Sequence, residues 1–188
     1  MKKYVYLLMM MCLAVALPSC GDDDEDSTID EVWKQQNEQA FMDKAFDSAF
    51  TRLTALSNAG TLYYKQITPG NGKQVYYNSR VDVYYEGSYI TGDVFYKKVE
   101  KYDTPIRIAV SSSVANYSST TNPYGYRMDI NGISEILQFM TEGEEGEVWI
   151  PQELGYGAME QYNVMSVTVK MRPYSTLIYK IKIAKTEI

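Results

Sequence analysis

The sequence predicts an α+β protein in which one long helix precedes a domain made mostly of strands. Three observations lead to this prediction. Residues 28–58 contain no Pro or Gly and repeat apolar side chains near helical spacing. After Gly60 the pattern changes to short alternating runs separated by turn residues. One later stretch, residues 132–141, returns to the spacing of a helix.

The N-terminus has the features of a secretory signal. Lys2 and Lys3 precede an apolar run, Tyr4–Leu17, that is shorter than the roughly 20 residues a membrane-spanning helix needs. We therefore predict a signal peptide over residues 1–19. It ends in Leu-Pro-Ser-Cys, which resembles a bacterial lipobox. Cys20 is then expected to be lipidated and to anchor the chain to the outer membrane, on its periplasmic or its outer surface. The alternative is an ordinary secreted protein with a chance cysteine.

Residues 20–27 are predicted to be an acidic tether. Five acids in a row follow Gly21, and such a run of like charges stays solvated. It is either a plain spacer or a sorting signal, since it resembles the start of surface-exported lipoproteins of the Bacteroidetes. The formal charge is −6, and without the two signal lysines and the five tether acids it is −3. Because nucleic-acid binding needs a basic footprint, no nucleic-acid partner is expected.

The residue inventory excludes several classes of chemistry. The chain has no histidine, and its two cysteines are Cys12, inside the predicted signal, and Cys20. The mature domain therefore lacks Ser-His-Asp and Cys-His catalysis and the usual zinc ligands. The acids of residues 142–147 are interpreted as a solvated turn rather than a metal site, so no metal and no cofactor is expected.

The predicted helix, residues 28–58, has signals at both ends. Thr28 and Glu31 form a capping box, and Ser57–Gly60 supplies the stop. The apolar side carries Trp33, Phe41, Ala45, Ala49, Leu53 and Leu56. A side this wide and aromatic must be buried. It packs either on its own domain or on a second copy, so a homodimer through this helix is one expectation.

Strands and one long loop account for most of the remaining chain. Strands are predicted over residues 61–67, 74–78, 80–87, 91–96, 105–110, 147–151, 165–171 and 175–184. Residues 111–126, rich in Ser, Thr, Asn and Tyr, are predicted to be a loop.

Several motifs, in this order, resemble the FKBP-type peptidyl-prolyl cis-trans isomerases. They are TLYYKQITPGNGK (61–73), VYYEG (83–87), GDVFY (92–96), INGISEILQFMTEGEEGEVWIPQELGYG (130–157) and RPYSTLIYKIKI (172–183). The ordered set is specific, although each motif alone is weak. Over residues 61–188 the resemblance implies an FKBP-like curved antiparallel sheet wrapped on one short helix. It also implies an isomerase that assists protein folding and acts on proline-containing polypeptides.

The resemblance also implies a pocket, carried over motif by motif. The implied catalytic residues are Tyr85, Phe95, Ile130, Tyr156 and Tyr179. The implied substrate-binding residues are Tyr96, Ile106, Ile108 and Ile133. The Tyr156 hydroxyl and the Ile130 backbone N–H would hold the substrate carbonyl. Rotation about an X–Pro bond breaks no covalent bond, so the missing histidine is no objection.

Departures from the family pattern leave three functions open. Tyr96 stands where the family has aspartate, Ile133 where it has tryptophan and Asp129 where it has valine. The segment 158–172 is longer than usual and is predicted to form a hairpin over the pocket rim. The retained aromatic residues favour a weak isomerase, and the departures favour a non-catalytic chaperone or binding module. The tyrosine-rich loop 111–126 favours a surface interaction protein.

Overall fold

Helix α1 spans Asp24–Asp43 in the computed structural model, which describes residues 24–115 and 125–188. The helix begins inside the segment predicted to be a tether. The predicted signal peptide, Cys20 and residues 116–124 of the predicted loop lie outside the described residues. Within the described residues, no helix is both long and apolar enough to cross a membrane.

The prediction that this helix continues to residue 58 is wrong. The chain leaves α1 through a 3-10 turn, Lys44–Phe46, and then forms strand β1, Thr51–Thr54. Asp47 accounts for the break, since its carboxylate accepts a hydrogen bond from the Ala49 N–H at 3.1 Å. A side chain that bonds nearby backbone in this way competes with the helix. The β-branched threonines that follow suit a strand better than a helix.

An antiparallel sheet forms the body of the domain. The strands are β1 (Thr51–Thr54), β2 (Thr61–Thr68), β3 (Arg80–Tyr89), β4 (Val94–Lys98), β5 (Ile106–Ala109), β6 (Glu145–Ile150), β7 (Gln161–Asn163), β8 (Ser166–Met171) and β9 (Leu177–Glu187). The main sheet has the order β1-β2-β6-β9-β3-β4, and β5 also pairs with β3. Strands β7 and β8 pair separately as a hairpin, as predicted for residues 158–172.

The predicted strand over residues 74–78 does not form. In this stretch only Gln74 makes a bridge, to Thr141. The Ser79 N–H donates to the Tyr76 carbonyl at 2.9 Å, and the Ser79 hydroxyl accepts from the Tyr76 N–H at 2.9 Å. These bonds close a turn, which leaves Tyr76 and Tyr77 exposed. Tyrosines are common in strands, so the composition of this stretch predicts one, but no neighbouring strand in the described part of the chain pairs with it.

Helix α2, Asn131–Leu137, covers the inner face of the sheet. It is shorter than the predicted 132–141, and the chain then turns at Gly143, whose φ of +87° lies in the left-handed region. The four side chains expected to face the sheet are all fully buried; they are Ile133, Ile136, Leu137 and Met140. The predicted α+β class, in which a long helix precedes an antiparallel sheet covered by one short helix, is confirmed.

Helix α1 docks on its own domain near the start of β9. The Trp33 indole N–H donates to the Pro173 carbonyl at 3.0 Å. One turn further along, the Asn37 side-chain oxygen accepts a hydrogen bond from the Thr176 N–H at 2.8 Å. Both Trp33 and Asn37 are buried. The aromatic side of α1 is therefore used, at least in part, within the same chain.

We predict that Asn37→Ala lowers the free energy of unfolding by about 1–3 kcal/mol, because it leaves the buried Thr176 N–H without its acceptor. Alanine's higher helix propensity offsets a few tenths of this loss. Urea unfolding followed by tryptophan fluorescence measures the change. The control is Gln36→Ala, an exposed position on the same turn of α1, for which we expect less than about 0.5 kcal/mol. Equal effects of the two substitutions would show that the Asn37 contact does not hold α1 in place.

Candidate active site

Aromatic rings from three neighbouring strands meet at one end of the sheet. Tyr85 on β3 and Tyr179 on β9 have ring centroids 5.1 Å apart at an interplanar angle of 87°. Phe95 on β4 lies 5.6 Å from Tyr179, and Tyr96 lies 5.4 Å from Tyr85. Such separations are typical of favourable aromatic pairs. The structure thus brings together three of the predicted catalytic residues and one predicted substrate-binding residue.

Gly87 makes this close packing possible. It lies opposite Tyr96 on β4 and opposite Tyr179 on β9, so both neighbouring strands meet it. A Cβ atom at this position would lie 2.5 Å from the Phe95 ring and 2.8 Å from the Tyr179 ring. No real Cβ tolerates such distances, so the glycine leaves the space that the two rings occupy.

A buried carboxylate stands at the start of α2. Asp129 accepts a hydrogen bond from the Tyr85 hydroxyl at 2.6 Å and another from the Ile130 backbone N–H at 2.8 Å. Burial raises the Asp129 pKa to about 6, although the two hydrogen bonds act to lower it. Burial and this carboxylate raise the pKa of Tyr85 and of Tyr179 well above the usual value. Both phenols therefore stay neutral.

In the sequence, Asp129 stands out only as a departure from valine, with no role of its own. Two departures together could have identified the role. Compared with the family pattern, this chain lacks an acid at position 96, where it has Tyr96, and gains one at position 129, where it has Asp129. In the structure both positions flank the Tyr85 ring. The sequence alone could not show that the two positions meet, because Tyr85 and Asp129 are 44 residues apart.

The two predicted carbonyl donors differ in their availability. The Ile130 N–H is bonded to the Asp129 carboxylate in this structure. The Tyr156 hydroxyl accepts a hydrogen bond from the Val164 N–H at 3.1 Å. Because a hydroxyl has one proton and two lone pairs, this contact leaves the proton of Tyr156 able to donate. Burial raises the Tyr156 pKa, which keeps that proton in place at neutral pH.

A groove of about 450 Å³ opens beside the aromatic cluster. Two of the four predicted substrate-binding residues, Tyr96 and Ile106, line it. The other two, Ile108 and Ile133, are fully buried in the core and do not line it. Ile108 lies in the interior of β5, whereas Ile106 is the first residue of that strand.

The β7–β8 hairpin forms one rim of this groove. Met165, at the hairpin turn, lines the groove. The hairpin also holds Tyr156 at both ends, because the Gln161 side-chain amide donates to the Tyr156 carbonyl at 2.8 Å and the Val164 N–H donates to its hydroxyl. The hairpin expected over residues 158–172 is confirmed.

The acids of residues 142–147 have structural contacts. Glu144 is buried and accepts hydrogen bonds from the Tyr64 hydroxyl at 2.7 Å and from the Thr141 N–H at 3.0 Å. Glu142 accepts one from the Thr186 N–H at 2.7 Å. Over residues 24–115 and 125–188, no group of three or more His, Cys, Asp or Glu residues is placed to hold a metal ion.

Known proteins resemble this chain in sequence. Residues 71–184 match the family described as FKBP-type peptidyl-prolyl cis-trans isomerase. The probable FKBP-type peptidyl-prolyl cis-trans isomerase FkpA of Neisseria meningitidis is 33% identical over 129 residues, which are 69% of this chain and 39% of that protein. The outer membrane protein MIP of Legionella longbeachae is 32% identical over 120 residues, 64% of this chain and 42% of that protein. The chain thus spans about two fifths of the length of these relatives.

Solved structures share the fold. A peptidyl-prolyl cis-trans isomerase of Pseudomonas syringae aligns with a TM-score of 0.61 at 18% identity, covering 84% of this chain and 96% of that one. FkpA from Escherichia coli aligns with a TM-score of 0.59 at 19% identity, covering 100% of this chain and 82% of that one. The second alignment includes the N-terminal helix as well as the sheet.

We predict that stability falls as the pH rises from about 4 to about 6, by about 3 kcal/mol for the Asp129 contribution. The folded-state pKa of about 6 lies above the ordinary 3.8, so the folded state binds more protons than the unfolded state in this window. Asp129→Asn should flatten this part of the curve. Urea unfolding at a series of pH values measures it.

The matched control for this prediction is Asp93→Asn, which removes an exposed carboxylate from the turn before β4. Its curve should keep the wild-type slope between pH 4 and 6. If Asp129→Asn kept the same slope as wild type, the Asp129 carboxylate would not be desolvated in the folded state.

Proposed function

The chain belongs to the FKBP-type peptidyl-prolyl cis-trans isomerase family, and on that premise we propose that it catalyses rotation about X–Pro bonds and so assists protein folding in the cell envelope. The observation that carries the proposal is the aromatic cluster of Tyr85, Phe95 and Tyr179, beside which a groove opens along Tyr96. The three cluster residues and Tyr156 match the family's motifs. The substrates proposed are proline-containing polypeptides.

The chemistry required is modest, and the groove suits it. The X–Pro amide must twist over a barrier of about 18–20 kcal/mol, and twisting removes its conjugation and reduces its dipole. An apolar surface disfavours the planar, more polar ground state relative to the twisted one. Tyr96, Pro105, Ile106 and Met165 supply apolar surface around the groove. No proton is transferred, so no general base is needed.

Tyr156 is the donor that we propose to hold the substrate carbonyl. Its hydroxyl already accepts the Val164 N–H, and this bond fixes its position without using its proton. The Ile130 N–H is a weaker candidate because a substrate would have to compete with Asp129 for it. Asp129 is a positioning residue in this proposal, since it holds the Tyr85 ring by its hydroxyl. Ile133 and Ile108 support the site from the core.

The location in the envelope rests on the sequence and on the relatives. The N-terminal features described above support a lipid anchor at Cys20 and attachment to the outer membrane. One relative is named an outer membrane protein. We also propose a homodimer contact through α1 and the 3-10 turn that follows it, where the side chains of Val32, Met42 and Phe46 are exposed. Light scattering of wild type against Phe46→Ser would test this contact.

A non-catalytic binding function is the second candidate, and the hairpin rim favours it. Four large apolar side chains there are exposed: Met159, Tyr162, Val164 and Val167. Exposed apolar side chains that cluster on one element are typical of interaction sites. This surface would hold unfolded segments of a client polypeptide whether or not the groove is catalytic.

For the first candidate, we predict that the purified chain accelerates cis–trans exchange of an X–Pro peptide measured by NMR. Tyr156→Phe should lower kcat/KM by about tenfold, because one hydrogen bond to the carbonyl is lost. The control Tyr77→Phe removes a hydroxyl from an exposed tyrosine and should leave the rate unchanged. No acceleration by folded wild-type protein would refute the enzymatic proposal.

For the second candidate, we predict that Met159→Ser with Val167→Ser weakens suppression of aggregation of an unfolded client protein by severalfold, because both side chains are exposed on the hairpin. The control is Ile188→Ser, which removes a similarly exposed apolar side chain from the residue that follows β9, outside the hairpin. Light scattering of the client measures the effect. Equal suppression by all three proteins would exclude the hairpin as the client surface.

A further inference from the structure

Among the described residues, the wall of the groove carries three cations and no acid. The cations are Lys98, Arg107 and Arg127, and Tyr96, Ile106 and Met165 add apolar surface. The chain as a whole has a formal charge of −6, so a cationic wall runs against its composition. Lys98 ends β4, Arg107 lies on β5, and Arg127 follows on the segment that leads to α2. Three separate parts of the chain therefore contribute positive charge to one opening.

The backbone brings two of these cations side by side. The Arg127 N–H donates to the Arg107 carbonyl at 3.3 Å, and the Arg127 carbonyl accepts from the Ala109 N–H at 2.8 Å. The bridge itself pairs Arg127 with Ile108, so Arg107 and Arg127 are neighbours on adjacent stretches of chain rather than direct partners.

Arg127 is the cation that its surroundings do not neutralise. Arg107 lies 3.7 Å from the Asp82 carboxylate, and Lys98 lies 3.5 Å from that of Asp103. Arg127 forms no ion pair with any acid in the part of the chain that the structure describes. The nearby Asp129 is buried, and its two oxygens are bonded to Tyr85 and Ile130.

From this arrangement we infer that the groove selects proline-containing segments that carry an Asp or Glu side chain beside the proline, with Arg127 as the residue that reads the acid. This inference rests on the proposed function, because it takes the groove as the substrate site. A guanidinium binds a carboxylate through two parallel hydrogen bonds, which gives direction as well as charge. The apolar residues Tyr96, Ile106 and Met165 contact the proline, and the arginine contacts its acidic neighbour.

The test compares peptides that differ at the residue after proline. The three peptides carry Glu, Gln or Lys at that position. In a second set of three peptides, the same residues stand directly before the proline, at X of the X–Pro bond. Exchange rates and Kd are measured by NMR with the full chain at low and at high salt. We expect Glu to exceed Gln by about three- to tenfold in kcat/KM or in 1/Kd at low salt, and Lys to fall below Gln. High salt should shrink the difference because the groove is open to water.

Two variants separate Arg127 from the general charge of the protein. Arg127→Gln should bring the Glu-to-Gln ratio close to one, and Arg127→Glu should make Lys the preferred residue. The control Arg52→Gln makes the same change of charge on β1, at the opposite edge of the sheet from β4. It should keep the wild-type ratio.

The outcomes distinguish this inference from the proposed function. Equal rates and equal Kd values for all peptides, with clear acceleration, would overturn the acidic preference and leave the isomerase intact. If no peptide is accelerated, the isomerase proposal fails, and the Kd values still decide the inference. Tighter binding of Glu peptides that Arg127→Gln abolishes would support it. A preference that survives Arg127→Gln would overturn the role of this residue.

Discussion

The carboxylate of Asp129 is taken out of water where strand β3 meets the start of helix α2. A buried charge is costly unless it is hydrogen bonded, and both oxygens of Asp129 are bonded, to Tyr85 and to Ile130. The bond from Tyr85 ties the middle of the sheet to the start of the helix that covers it. It also fixes the Tyr85 ring, against which Tyr96 and Tyr179 pack. The aromatic cluster depends on this one polar contact.

The groove beside the cluster has two kinds of surface, one apolar and one cationic. Its apolar part, with Tyr96 and Met165, suits a proline ring, and its cationic part, with Arg127, suits an acid. The β7–β8 hairpin forms one rim and holds Tyr156 by two hydrogen bonds, one from the Gln161 side-chain amide and one from the Val164 N–H. A change in the hairpin would therefore alter both the shape of the groove and the position of its proposed donor.

Much of the fold could be predicted from the sequence, because alternating strands and the family motifs are local signals. The extent of α1 could not, since the spacing of Leu53 suits a helix and a strand equally, and pairing of β1 with β2 decided between them. Ile108 shares a face with Ile106, but only the position along β5 determines which one reaches the opening. The role of Asp129 depends on a contact between distant residues, which periodicity does not record.

A carbon-13 NMR titration of the Asp129 carboxyl, in the wild type and in Tyr85→Phe, tests most directly whether the buried Tyr85–Asp129 contact holds the cluster. The buried contact predicts a pKa of about 6 in the wild type. It predicts a higher pKa in the variant, because the hydrogen bond from Tyr85 that lowers the value is lost. A pKa near the ordinary value of about 3.9 in both proteins would mean that Asp129 is solvated and that the cluster is held in another way.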